Sequence, residues 1–219
     1  MTLVRARVQR GRVLVPVFSI ILLASCNVSP SFTLEFPVDA DLGELWLIED
    51  VNCFTCGNGE EYLGRASGTY EVRLPAQHWY VSLRMPRGAS HLMEHLAHPS
   101  LSTIGDIDLW GSDIRDEDLR YVAGINLRSI NLGGTAITGA GVEHMAPHQK
   151  WTWINLQGCD NLDPQFLAHF RGWKRATIRL VSQRSSNEPY SEAELALLKK
   201  ARETICDGAP EEICGTQIR

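Results

Sequence analysis

The chain has 219 residues, with 21 lysines and arginines against 26 aspartates and glutamates, for a formal net charge of −5. Arg5, Arg7, Arg10 and Arg12 fall within residues 1–25, which hold no acid, so the 194 residues that follow carry 17 basic against 26 acidic side chains, a charge of −9. That balance argues against partners rich in phosphate and against electrostatic docking on anionic lipid, and 194 residues are one domain's worth of core.

The basic start is followed by an apolar run from Val13 to Leu23. Eleven residues are too few to span a bilayer but suit the core of a secretory signal peptide. The run ends Leu23-Ala24-Ser25-Cys26, which resembles a bacterial lipobox. The resemblance implies cleavage after residue 25 and lipidation (palmitate) of Cys26. Asn27 in place of an aspartate implies, for a Gram-negative lipoprotein, sorting to the outer membrane. Residues 26–40 then read as the lipidated cysteine and a short extended tether.

Residues 41–78 carry strand signals. Glu44-Leu45-Trp46-Leu47-Ile48 and Tyr70-Glu71-Val72-Arg73-Leu74 alternate, and glycines 57, 59, 64 and 68 mark turns. Trp79-Tyr80-Val81-Ser82-Leu83 is a further strand.

Beyond it the chain repeats itself. Ile107-Asp108-Leu109 returns as Ile130-Asn131-Leu132, Ile154-Asn155-Leu156 and Ile178-Arg179-Leu180, in steps of 23, 24 and 24 residues. A fixed period of this length predicts stacked units, none with a core of its own. Each unit opens with a short alternating strand. Two residues later come a glycine and a small side chain: Gly111-Ser112, Gly134-Thr135 and Gly158-Cys159. Glycine permits the sharp turn, and the small polar side chain is expected to satisfy turn amides hidden by stacking. The pairs Leu119/Val122, Val142/Met145 and Leu167/Phe170 then give an i, i+3 spacing that predicts one inward face of a short helix. Asp116 and Asp163 sit where a carboxylate caps a helix start, and Pro164 suits the first helical position.

Strand, tight turn, helix and return resemble a leucine-rich repeat, over residues 79–183. The unit Leu156-Gln-Gly-Cys159-Asp-Asn-Leu162 is similar to the cysteine-containing subtype. The resemblance implies an α/β solenoid with parallel strands inside and helices outside, binding protein or ligand on its concave face, and it implies no catalysis and no cofactor. An open solenoid end needs covering, so 41–78 read as an N-terminal β cap. Residues 184–219 read as a C-terminal helical cap: Ser191-Glu-Ala-Glu194 has the form of a capping box, opening a helix with Leu195, Leu197 and Leu198 that runs to about Thr204.

Four cysteines remain besides Cys26 and Cys159. An exported chain meets an oxidising compartment, and the favoured pairs are Cys206 with Cys214 and Cys53 with Cys56. Cys53-Phe-Thr-Cys56 also has the spacing of a thiol redox pair, although Gly57-Asn-Gly59 follows rather than a helix. His91-Leu-Met-Glu94-His95 resembles the H-x-x-E-H motif of inverted zinc metallopeptidases, in which two histidines on one helix face hold zinc and the glutamate is a general base. The simpler reading places Leu92 and Leu96 inward and both histidines on a solvated flank. His144 and His148 are a second such pair.

Strand alternation predicts one exposed face. It carries Tyr80, Ser82 and Arg84, then Asp106, Asp108 and Trp110, then Ser129 and Asn131, then Trp153, Asn155 and Gln157, then Thr177 and Arg179. Two tryptophans among short polar groups suit an interface, with a protein of the cell envelope as partner. The expectation is therefore a lipid-anchored envelope protein that binds or scaffolds through this face. A zinc- or thiol-dependent enzyme and a purely structural surface protein are the alternatives.

Overall fold

The computed structural model describes residues 30–49, 59–76, 78–145, 152–170, 177–180, 191–205 and 217–218. Ten strands are present among them: β1 (Ser31–Glu35), β2 (Glu44–Glu49), β3 (Glu60–Arg65), β4 (Thr69–Arg73), β5 (Trp79–Arg84), β6 (Ile104–Asp108), β7 (Ser129–Asn131), β8 (Trp153–Asn155), β9 (Thr177–Arg179) and β10 (Gln217–Ile218). Eight form one mixed, mostly parallel sheet in the order β10-β9-β8-β7-β6-β5-β2-β3, and β1 and β4 form a two-stranded ribbon. β5 through β10 are parallel neighbours, while β2 is antiparallel to both β5 and β3.

The repeat is the register of the parallel strands. Ile107 pairs with Ile130, Ile130 with Ile154, and Ile154 with Ile178. All four side chains are fully buried, as are Leu109 and Leu132. Burial of each such side chain contributes about 1.5–3 kcal/mol. The ladder continues one residue past the strands, where Leu109, Leu132 and Leu156 donate their amides to the carbonyls of Asn131, Asn155 and Arg179 at 2.8, 2.9 and 2.8 Å. The chain then turns at Gly111, Gly134 and Gly158, with φ of 62°, 69° and 70°. Side chains with a Cβ rarely adopt that region, hence glycine at each turn.

The turn side chains do more than the sequence suggested. Thr135 Oγ1 and Cys159 Sγ both donate to the Leu132 carbonyl, at 2.7 and 3.1 Å, and the Cys159 sulfur also faces the Gly134 and Thr135 amides. The Gly111 and Gly134 amides bond to the next unit's backbone at Gly133 and Gln157. Asp116 likewise braces its neighbour instead of capping its own helix. It accepts from the Thr138 amide and hydroxyl at 2.7 and 2.5 Å. Asp163 does cap its own segment, accepting from Gln165 N at 2.9 Å.

The return segments are short, and most are tighter than an α-helix. Asp116–Val122 and Pro164–Phe170 are 3-10 helices, and Gly139–Met145 (α1) is α-helical. In a 3-10 helix residues i and i+3 eclipse, so the Leu119/Val122 and Leu167/Phe170 pairs face inward in either form. All four are fully buried. Two further 3-10 helices, Ser90–Ala97 and Pro99–Thr103, join β5 to β6. Counted from Val81 to Ile107 this step looks two residues too long. The register instead pairs Leu83 with Ile107, a step of 24 beside the 23, 24 and 24 that follow, with an irregularity between Val81 and Ser82.

Residues 31–36 correct the tether expectation. They hold β1, antiparallel to β4, with Leu34 fully buried and Phe36 nearly so in the common core. The strand β3 was not legible either. Gly64, expected in a turn, lies within it at φ 142° beside the Tyr70 ring, whereas Gly68 does turn the chain between β3 and β4. At the other end α2 (Glu192–Ile205) begins with the expected capping box: Ser191 N donates to Glu194 Oε2 at 2.8 Å and Glu194 N to Ser191 Oγ at 3.2 Å. One apolar core runs from Leu34 to Ala201. Among the described residues no helix is long and apolar enough to cross a membrane.

Candidate functional site

The core takes one side of the sheet. The strand residues that alternate with it present a second face, and the predicted positions Tyr80, Arg84, Asp106, Asp108, Trp110, Asn131, Trp153, Asn155, Gln157 and Arg179 fall on it or on the turns that continue it, as do Ser82, Ser129 and Thr177. Register groups them in rows running across the strands. One row is Ser82, Asp106, Ser129, Trp153 and Thr177. The next is Arg84, Asp108, Asn131, Asn155 and Arg179.

In the first row both serines are buried and donate to one carboxylate. Ser82 Oγ reaches Asp106 Oδ2 at 2.6 Å, and Ser129 Oγ bonds Asp106 Oδ1. Desolvation pushes the Asp106 pKa above its ordinary value, outweighing the two hydroxyl donors, which lower it. In the second row each acidic or amide side chain folds back on its own turn. Asp108, Asn131 and Asn155 accept from the amides of Trp110, Gly133 and Gln157 at 3.0, 3.2 and 3.1 Å. Asn155 Nδ2 also donates to Asn131 Oδ1 at 2.8 Å, which locks the middle of the row. Asn155 is buried, its side chain taken up by Asn131 and the Gln157 amide.

Trp110 is 44% exposed. Its ring lies over Gly133, so closely that a Cβ there would fall 2.1 Å from Cζ3. The two predicted tryptophans therefore differ: Trp110 is an open shelf, and Trp153 is half-buried. Tyr80 packs over Gly105, with the Arg128 guanidinium 5.8 Å from its ring centroid.

The sequence reading stopped this face at β5, but the sheet continues it. Trp46 pairs with Ser82 and Tyr62 in the register and so shares their face. The Trp46 and Tyr62 rings are 5.0 Å apart, and Tyr62 is 49% exposed. Arg84 stacks 4.4 Å over Trp46 and pairs with Glu60 at 2.9 Å. The alternation of Leu45, Trp46 and Leu47 carried the signal for Trp46. What it lacked was the knowledge that β2 joins the same sheet.

The histidine motif falls apart geometrically. Ser90–Ala97 is a 3-10 helix, in which residues four apart point about 120° from one another. His91 is exposed, whereas His95 and Glu94 line a separate cleft of about 400 Å³ with His98, Glu35 and Phe36. Among the described residues no three histidine, cysteine, aspartate or glutamate side chains converge to hold a metal ion. His144 is exposed on α1, and His148 lies outside the described residues. Cys159 is a buried free thiol at the edge of a cleft of about 410 Å³ between the last turn and α2, and burial pushes its pKa up. The signal segment, Cys26, Cys53, Cys56, Cys206 and Cys214 lie outside the described residues.

No family model matches the chain, and no curated protein matches it significantly.

Proposed function

We propose that the chain is a lipid-anchored envelope protein whose short leucine-rich-repeat-like solenoid recognises a protein partner on its concave face. The near-equal strand steps, the glycine turns and the isoleucine ladder support the solenoid reading. The leader and the Leu23-Ala24-Ser25-Cys26 box support a lipid anchor, with the outer membrane as its place. The observation that carries the binding reading is the composition of the open sheet face. Trp46, Tyr62, Tyr80, Trp110 and Trp153 share it with Arg84, Asp108 and Arg179. Exposed aromatic rings beside charged groups are where interface energy concentrates. The reading gives the protein no catalytic residue and no cofactor.

Chemical crosslinking and capture of the full-length protein from the envelope of its own cell tests this. A parallel bait carries Trp110→Ala and Trp153→Ala. A protein captured by the first bait and lost with the second supports face-dependent recognition. Equal capture by both, or capture by neither, refutes it.

A further inference from the structure

The second row of the face is polar from end to end, and its charges are arranged. Asp108 stands on β6, Asn131 on β7, Asn155 on β8 and Arg179 on β9, each aligned with the next. Neighbouring strands lie about 4.8 Å apart, so the two charged ends are separated by about 14 Å. That exceeds the Debye length of about 8 Å at physiological salt, so neither end neutralises the other.

Neither end is paired elsewhere among the described residues. Arg84 is aligned with Asp108 on the adjoining strand, yet its guanidinium turns the opposite way, onto Trp46 and Glu60. Asp108 makes no ion pair among the described residues, and its hydrogen bond is to the Trp110 amide. Among the described residues Arg179 makes no ion pair, and its buried Nε has no hydrogen-bond partner. A buried donor left unpaired destabilises the fold unless something supplies an acceptor. Beside Asp108 the exposed Trp110 ring offers a face on which a cation can rest.

We infer that this row binds an extended peptide strand of the partner, laid across β6 to β9, with a basic side chain at Asp108 and Trp110 and an acidic side chain at Arg179. The inference rests on the proposed recognition function and names the chemistry of its ligand. An extended peptide advances about 3.3 Å per residue, so a span of about 14 Å sets the two charges four residues apart. Asn131 and Asn155, tied to each other, keep the middle of the row flat and fixed. The guanidinium supplies parallel donors to a carboxylate, a geometry that a simple cation lacks. Opposite charges at a fixed spacing fit a peptide better than a neutral glycan.

The test is calorimetric titration of the full-length protein with pentapeptides. The probe has lysine first, glutamate last and three alanines between. Controls replace both charges with glutamine, or bring the charges to adjacent positions. A neutral oligosaccharide is titrated alongside. The probe is expected to bind about tenfold more tightly than either control. Asp108→Asn keeps the acceptor for the Trp110 amide, and should erase the preference for lysine while leaving that for glutamate. Arg179→Gln should do the reverse. Equal binding of charged and neutral peptides overturns the inference, as does binding of the oligosaccharide alone, binding of no probe, or equal weakening of every peptide by both variants. If crosslinked capture still depends on Trp110 while the probes fail, the peptide inference falls and the recognition reading stands. If both fail, both fall.

Discussion

Asp106 is an acid placed where ionisation is unfavourable. Its carboxyl sits between two buried hydroxyls, and desolvation raises its pKa above the ordinary 3.8. The native state therefore holds this proton more tightly than the unfolded chain. Its contribution to stability is fully present below the unfolded value and is lost as pH rises through the raised native value. Asp106→Asn removes the dependence. Melting of the two proteins from pH 3 to pH 8 should show the variant gaining on the parent as pH rises, and a gap that grows toward acid contradicts the assignment. Gly133 is the second informative residue. A methyl group there meets the Trp110 ring rather than open space. Gly133→Ala should displace the ring, lower stability by about 1–3 kcal/mol and shift tryptophan emission to the red. Unchanged emission would mean that the ring does not lie on Gly133.

At the scale of the element, the repeated unit makes comparable substitutions separable. Gly158 turns the chain at φ 70°, and an added Cβ would meet nothing closer than 3.6 Å. Gly158→Ala should therefore cost only the conformational penalty, about 1–2 kcal/mol. Ile130 sits fully buried between Ile107 and Ile154, and Ile130→Ala should cost about 2–5 kcal/mol. Denaturant titration of both variants checks the ranking, and the reverse order would contradict the burial argument. The repeat was readable because register writes itself into sequence as a period, and each isoleucine fell where the spacing put it. The helical form was not readable, because i, i+3 spacing serves a 3-10 and an α-helix alike. The H-x-x-E-H reading assumed an α-helix, and the tighter winding separates His91 from His95. β1 escaped because Phe32, Leu34 and Phe36 are flanked by Pro30, Pro37 and serines. Their apolar alternation acquires meaning only when β4 arrives from about 40 residues away.

For the whole molecule, β5 is the joint. It is antiparallel to β2 on one side and parallel to β6 on the other, so the N-terminal strands and the repeats share one sheet and one core. That sharing extends the candidate surface beyond the repeats, to Trp46 and Tyr62, and no repeat pattern could mark those two positions. On the proposed function the open sheet face, and not the helical side, meets the partner. Photocrosslinking from two single positions in living cells tests it most directly. One carries a photoreactive residue in place of Asn131 on the face, the other in place of Arg120, exposed on the 3-10 helix across the core. Adducts of defined mass from position 131 and none from position 120 are the predicted result. Adducts from position 120 alone, or the same adducts from both, would contradict it.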